Sequence, residues 1–243
     1  MRPPGVLRLP GAGAAAHPGL VAVPGLGLST EVPARALRLL TGPSTCIALP
    51  GYGLPVGRGT ALHPGALADD LLRRTDALDV HGPVLLGHSA SCQVVVEAAL
   101  RRPDGIAGLV LVGPTTDPRA DRWPRIAARW LRTAAWERPG QVPLLVRDYH
   151  RTGLGGMARV MDAARRHRID RALARVGCPV LVVRGRHDRI APADWVEGLA
   201  DAAPHGRAVT LPAGAHMVPI THPAALAAEV GAFVAGLRPQ RSR

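Results

Sequence analysis

Apolar runs of four to six residues alternate along the chain with longer segments of helical period, and few architectures accept that order. The runs are Val6 to Leu9, Leu20 to Pro24, Thr45 to Leu49, Pro83 to Leu86, Gly108 to Val112, Pro179 to Arg184 and Arg207 to Leu211. Helices are expected near 32–40, 65–79, 90–101, 193–203 and 223–237, with Pro192 and Pro223 placed where a first helical turn loses nothing by lacking an N–H. This order predicts an α/β fold, a mostly parallel sheet with helices on both faces. A chain of 243 residues fits one such core, burying roughly three quarters of its unfolded surface, so a single domain over 1–243 is expected.

One stretch breaks the alternation. Residues 118–170 carry helical pattern but no convincing strand, although strong strands lie on either side. This predicts a helical insertion, a cap over the edge of the sheet. Within it Trp123, Ile126, Ala127, Trp130, Leu131 and Ala134 recur at helical spacing, an apolar face expected to rest on something.

Composition narrows the class. Hydrophobic residues make up 47% and charged ones 20%, and no apolar run approaches the roughly 18 to 20 residues of a membrane helix, so no membrane partner is expected. Met1-Arg2-Pro3-Pro4 leads into a stretch broken by Gly and Pro, which lacks the apolar core of a signal peptide and points to the cytoplasm. Cys46, Cys92 and Cys178 are odd in number and far apart, which suggests buried thiols and neither a disulfide framework nor a metal site. The formal charge of +12 would suit a nucleic-acid binder. However, every one of the 30 basic residues is Arg, as a GC-rich coding bias produces, and 3% aromatics leaves little to stack on bases. A nucleic-acid partner is not expected. Gly25-Leu26-Gly27 lacks the third glycine of a dinucleotide fingerprint, so no cofactor is implied.

The chemistry concentrates after the fourth run. Pro83-Val84-Leu85-Leu86-Gly87-His88-Ser89-Ala90-Ser91 reads as a strand, a tight turn and the start of the helix Cys92-Gln93-Val94-Val95-Val96-Glu97. A nucleophilic serine needs such a turn, which exposes its hydroxyl and aims the following N–H groups at developing negative charge. Ser89 is the candidate nucleophile. Gly87 and Ala90 keep the turn small, and Ser91 stands where the G-x-S-x-G string ends in glycine. The competing reading is a serine that merely caps a helix.

These residues resemble the nucleophile elbow of the α/β-hydrolase superfamily, and the resemblance extends over essentially the whole chain. It implies an acid and a histidine in that order after the nucleophile. Gly185-Arg186-His187-Asp188-Arg189-Ile190-Ala191-Pro192 resembles the turn that carries the acid, with Asp188 in its place. Asp117, in Thr116-Asp117-Pro118 after the preceding strand, is the alternative. Gly214-Ala215-His216 resembles the loop that carries the base, and an imidazole suits proton transfer near neutral pH. The family's oxyanion hole implies the N–H of Ala90 and one from the loop Pro24-Gly25-Leu26-Gly27, where Leu26 is the positional match. The usual His-Gly of that loop is Pro24-Gly25 here, which removes a bracing side chain. Pro50-Gly51-Tyr52-Gly53 resembles the family's next loop, and no chemistry is assigned to Tyr52.

The resemblance implies a hydrolase that cleaves an ester or thioester of a small-molecule acyl substrate through an acyl-serine. The superfamily also contains C–C hydrolases, perhydrolases, acyltransferases and ligand-binding members with little turnover, and a triad does not separate them. Residues 118–170 hold twelve arginines against five acids. That charge either steers an anionic substrate or simply solvates helix faces.

Overall fold

A computed structural model describes residues 5–11 and 18–237. Met1 to Pro4, on which the reading of the amino terminus rests, lie outside them. Seven strands form the main sheet: β1 (Val6–Leu9), β2 (Leu20–Val23), β3 (Ser44–Ile47), β6 (Val84–His88), β7 (Gly108–Val112), β8 (Val180–Gly185) and β9 (Gly206–Leu211). Their spatial order is β1-β3-β2-β6-β7-β8-β9, antiparallel only where β1 pairs with β3. Two short strands, β4 (Leu49–Pro50) and β5 (Gly53–Leu54), pair beside it around the buried Tyr52.

Period-two alternation explains why the central strands read as continuous apolar runs. Leu85, Leu109, Leu111, Val180 and Val182 face one hydrophobic cluster. Their neighbours Val84, Leu86, Val110, Val112, Leu181 and Val183 face another on the opposite side. Both sides are buried, as a parallel sheet requires. Helices α2 (Pro64–Asp76), α3 (Ser91–Arg101), α7 (Ile169–Leu173) and α8 (Ala193–Ala202) supply the first cluster; α1 (Glu31–Leu37) and α10 (Pro223–Gly236) supply the second. The three cysteines are buried free thiols.

Several boundaries differ from the sequence reading for local reasons. Helix α1 stops at Leu37 because the amides of Leu39 and Leu40 bond three residues back, to Ala36 and Leu37, tightening the chain out of the helix. Helix α2 ends at Asp76, and Asp79 just beyond has positive φ. The third run divides at Ala48, whose N–H donates to Gly5 O at 2.8 Å, and Leu49 joins the small pair instead. A single-turn helix, α9 (Val218–Thr221), was not legible in the pattern.

Between β7 and β8 the described chain holds no strand; before α7 it carries α4 (Trp123–Ala134), α5 (Val142–Thr152), α6 (Leu154–Ala164) and two short 3-10 turns at Pro118–Ala120 and Pro139–Gln141. We refer to the segment that holds them as the cap. Its end rejoins the main core through Val160, Ala164 and Ile169. Among the described residues no helix is long and apolar enough to cross a membrane.

Candidate active site

Four of the parallel strands, β2, β6, β8 and β9, end at the same edge of the sheet, and the loops after them carry Leu26, Ser89, Asp188 and His216. Ligand sites of open α/β sheets lie at this carboxyl edge.

The elbow begins with Gly87. A Cβ there would lie 2.7 Å from Cys92 Cα and 2.8 Å from its nitrogen, so only glycine lets α3 start so close to β6. Strand β6 therefore runs through His88, two residues beyond the run read from sequence, and the turn is left to Ser89. Ser89 has φ +60°, a left-handed conformation unusual for a residue with a side chain, and its N–H is tied to Val112 O at 2.8 Å. The residue that departs from the motif, Ser91, is buried and fully used. Its hydroxyl donates toward Val23 O (3.0 Å) or His88 O (2.9 Å) and accepts the N–H of His88 (2.8 Å), pinning the elbow to β2.

Asp188 and His216 meet in a buried pair, with His216 Nδ1 2.8 Å from Asp188 Oδ2. The second oxygen of Asp188 accepts the N–H groups of Ile190 (2.9 Å) and Ala191 (3.0 Å). Burial opposes the charge on Asp188, but His216, through its charge and its hydrogen bond, and the two backbone donors outweigh it and hold the carboxyl below its usual range. Burial likewise opposes an imidazolium at His216. The facing carboxylate of Asp188, its hydrogen bond and the more distant Glu137 outweigh that, and the imidazole titrates above its ordinary value. A Nδ1–H committed to Asp188 leaves Nε2 as the basic nitrogen. Gly113, with φ +54°, makes room for the pair, since a Cβ there would lie 3.0 Å from the His216 ring and 3.1 Å from Asp188 Oδ2.

Asp117, the alternative acid, is engaged elsewhere. Its buried carboxylate takes Arg119 (2.8 Å) and Arg129 (2.7 Å), which fastens the start of the cap to the end of β7.

The two backbone donors that the family resemblance assigns to the oxyanion hole have no acceptor. Among the described residues the N–H groups of Gly27, Leu28 and Ser29 bond to Gly51 O, Gly25 O and Asp148 Oδ2, whereas those of Leu26 and Ala90 bond to nothing in the protein. Ala90 is also the N-cap of α3, so its amide lies at the positive end of a helix. The loop that lacks the expected histidine is braced from the cap instead, by Asp148 on the Ser29 amide (2.8 Å) and the Thr152 hydroxyl on Gly27 O (3.1 Å).

Two further residues support this arrangement and were not legible in the sequence. His88 is fully buried against His216, their rings 5.1 Å apart, and its Nε2 donates to the carbonyl of His216 at 3.0 Å. Burial and the adjacent His216 pull its pKa to about 3, so it stays neutral. Arg184 is buried at the end of β8, and its guanidinium donates to the carbonyls of Ala191 (2.8 Å), Asp188 (2.7 Å) and Arg186 (3.2 Å), holding the loop that bears Asp188. The one available signal was a charged residue ending the apolar run Val180 to Val183.

A cavity of about 530 Å³ reaches the site, and Leu26, Ser89 and His216 line it. Its outer walls are apolar side chains of the cap, among them Ile126, Trp130, Leu145, Tyr149, Met157 and Met161. The size lies within the range that encloses small organic ligands. The arrangement offers a hydroxyl at a strained turn, an imidazole oriented by a buried carboxylate, two unengaged amides and an apolar chamber.

A model of an alpha/beta hydrolase family matches residues 20–229. The chain belongs to that family. It is 30% identical over 180 residues to the "Putative carbamate hydrolase RutD" of Agrobacterium fabrum, covering 65% of this chain and 69% of the relative. It is 27% identical over 233 residues to the protein of the same name from Pseudomonas savastanoi, covering 85% and 89%. Among solved structures, a hydrolase from Pseudomonas aeruginosa superposes with a TM-score of 0.75 at 27% identity, over 94% of this chain and 92% of the other. The matched region contains β2, β6, β8 and β9 with the loops after them, and the family and these relatives support hydrolysis as the type of reaction.

Proposed function

We propose that this hydrolase cleaves esters or thioesters of apolar acyl groups through a covalent acyl-Ser89 intermediate. The observation that carries the reading is the buried Asp188–His216 pair at 2.8 Å, which opens with Ser89 onto one apolar cavity. In this reading His216 Nε2 takes the Ser89 proton as the hydroxyl oxygen attacks the acyl carbon, and the Leu26 and Ala90 amides receive the oxyanion. The imidazolium then protonates the leaving alcohol or thiol. In the second half His216 removes a proton from water, which attacks the acyl carbon, releases the carboxylic acid and restores Ser89. Asp188 keeps its charge throughout and stabilises the imidazolium.

Carbamate hydrolysis is the second reading, favoured by the likeness to the relatives of that name. The cavity argues for the first. A small polar carbamate leaves most of a chamber walled by Ile126, Trp130, Leu145 and Met157 uncovered, whereas an extended acyl group covers it. A panel of acyl esters and thioesters of increasing chain length, assayed beside a carbamate, decides between them. We expect kcat/KM to rise with chain length until the chamber is filled. Ser89→Ala should lower turnover of the best substrate by on the order of a million-fold while the protein stays folded. A carbamate hydrolysed faster than every ester would overturn the choice, and near-parental activity in Ser89→Ala would overturn the mechanism.

A further inference from the structure

One short stretch of the cap bears on the loops of both the acid and the base. Arg129 Nη1 donates to Ile190 O at 3.4 Å, and the Thr133 hydroxyl accepts the N–H of Arg189 at 3.0 Å. Trp136 stacks face to face on His187, with ring centroids 4.0 Å apart and planes 3° from parallel. These three contacts flank Asp188. The next residue, Glu137, reaches the other loop, where its Oε1 accepts the N–H of Met217, the residue after His216, at 2.8 Å. Its Oε2 accepts the side-chain amide of Gln141 at 3.0 Å.

Both partners of Glu137 are neutral N–H donors, and among the described residues it has no ion-pair partner. Neither bond requires a charge, because a glutamine carbonyl would accept from Met217 equally well, and Gln141 can turn its amide to match. The charge therefore acts on what surrounds it. Among the described residues, the titratable side chains that bear on His216 are Asp188 from the loop after β8, His88 from the end of β6 and Glu137 from the cap. His88 is neutral, so the negative charges that favour an imidazolium at His216 are those of Asp188 and Glu137; Arg138 and the Asp117-paired Arg129 also line the cavity. Glu137 also lines the same cavity as Ser89 and His216.

We propose that Glu137 is a positioning residue for the reaction, a cap carboxylate that fixes the main chain after His216 and favours the imidazolium formed when Ser89 is deprotonated. The inference rests on the assignment of Ser89, His216 and Asp188 given above. It gives the cap a part in the chemistry, since Glu137 lies just beyond the end of the helix whose Trp130 and Ala134 wall the chamber. A cap displaced from the body leaves His216 without its second charge and without its main-chain anchor.

The test measures kcat/KM for p-nitrophenyl hexanoate from about pH 5 to 9 in the parent protein, Glu137→Gln and Glu137→Ala. Glu137→Gln keeps both hydrogen bonds and loses the charge. We expect its acid limb to move to lower pH, because the imidazolium is less favoured, with a fall of about threefold in the plateau. Glu137→Ala loses the anchor as well, and its plateau should fall by about 30-fold, the scale of a base moved by a fraction of an ångström. A Glu137→Gln acid limb that superimposes on the parental one would overturn the proposal, as would a parental plateau in Glu137→Ala. If the alanine variant fails to fold, as thermal unfolding would show, the glutamine variant decides alone. Labelling the parent with a fluorophosphonate separates two kinds of failure. A parent that is not labelled on Ser89 overturns the underlying mechanism and this proposal together, whereas a labelled parent with an unmoved limb overturns only the role of Glu137.

Discussion

The sheet and the cap keep their places by different means. The strands around Ser89 are buried on both faces, and Val84, Leu85, Leu109, Val110, Leu111 and Val182 expose nothing to solvent. In the cap, Leu131 is 68% exposed, Leu154 69% and Trp130 48%. The cap touches the body over smaller apolar patches, Val160 and Ala164 on the main core and Leu144, Leu145 and Tyr149 beside Leu28 and Met217, and adds discrete polar contacts: Asp117 on Arg119 and Arg129, Asp148 on the Ser29 amide, Glu137 on the Met217 amide. A packed core fixes atoms to fractions of an ångström, which an oriented nucleophile and base require. A few polar latches hold a wall in place while leaving its apolar face free to meet a substrate. Changes in the body should therefore destroy the reaction, and changes in the cap should redirect or moderate it.

Asp188 and Asp117 provide the sharpest contrast, since each follows a strand of the same sheet and each is buried. Asp188→Asn should lower turnover by about four orders of magnitude, by analogy with the acid of serine proteases. It should also move the acid limb of kcat/KM. His216 must be neutral to accept a proton, and its raised pKa places the parental limb above the ordinary imidazole value. Without the Asp188 charge the limb should shift to lower pH. Asp117→Asn should leave turnover within about threefold and instead weaken cap docking by about 1 to 2 kcal/mol, read as a fall of roughly 3 to 6 °C in Tm. The reverse result would exchange the two assignments.

A cap substitution should show in selectivity. Trp130→Ala enlarges the chamber and removes an apolar wall, so kcat/KM for medium-chain esters should drop about tenfold, with short esters little affected. An equal drop across the chain-length series would mean that Trp130 serves the cap's position and does not contact the acyl group. The smallest effect concerns the arginines. Six of the twelve between 118 and 170 are paired with carboxylates: Arg119, Arg129, Arg147, Arg165, Arg166 and Arg168. Only Arg129 and Arg138 of the twelve line the cavity, and Arg129 is held by Asp117. Anionic and neutral esters of one acyl group should thus respond alike to ionic strength. A steep fall for the anionic ester alone would restore electrostatic steering.

The same division governs what the sequence discloses. A parallel sheet imposes local rules, namely runs of β-formers, a glycine where α3 meets β6 and prolines at helix starts, and these rules stand in the string of residues. The turn at Ser89 was legible because Gly87 and its small neighbours are needed within a few positions of it. Other features arise only when distant segments meet. Arg184 is one of 30 arginines until three carbonyls of the acid loop close around it, and Glu137 is an ordinary surface acid until Met217 presents its amide. The apolar stripe of α4 was expected to lie covered. Its helical pattern was right, but only Ile126, Trp130 and Ala134 of it line the cavity, and Leu131 stays 68% exposed.

The account stands on Ser89 as the atom that attacks. Reacting the protein with a fluorophosphonate and mapping the adduct by peptide mass spectrometry tests that directly. We expect a single adduct on the peptide that contains Ser89, its formation slowed by orders of magnitude in His216→Ala and abolished in Ser89→Ala. An adduct on any other residue, or none on protein that hydrolyses an ester, would contradict it.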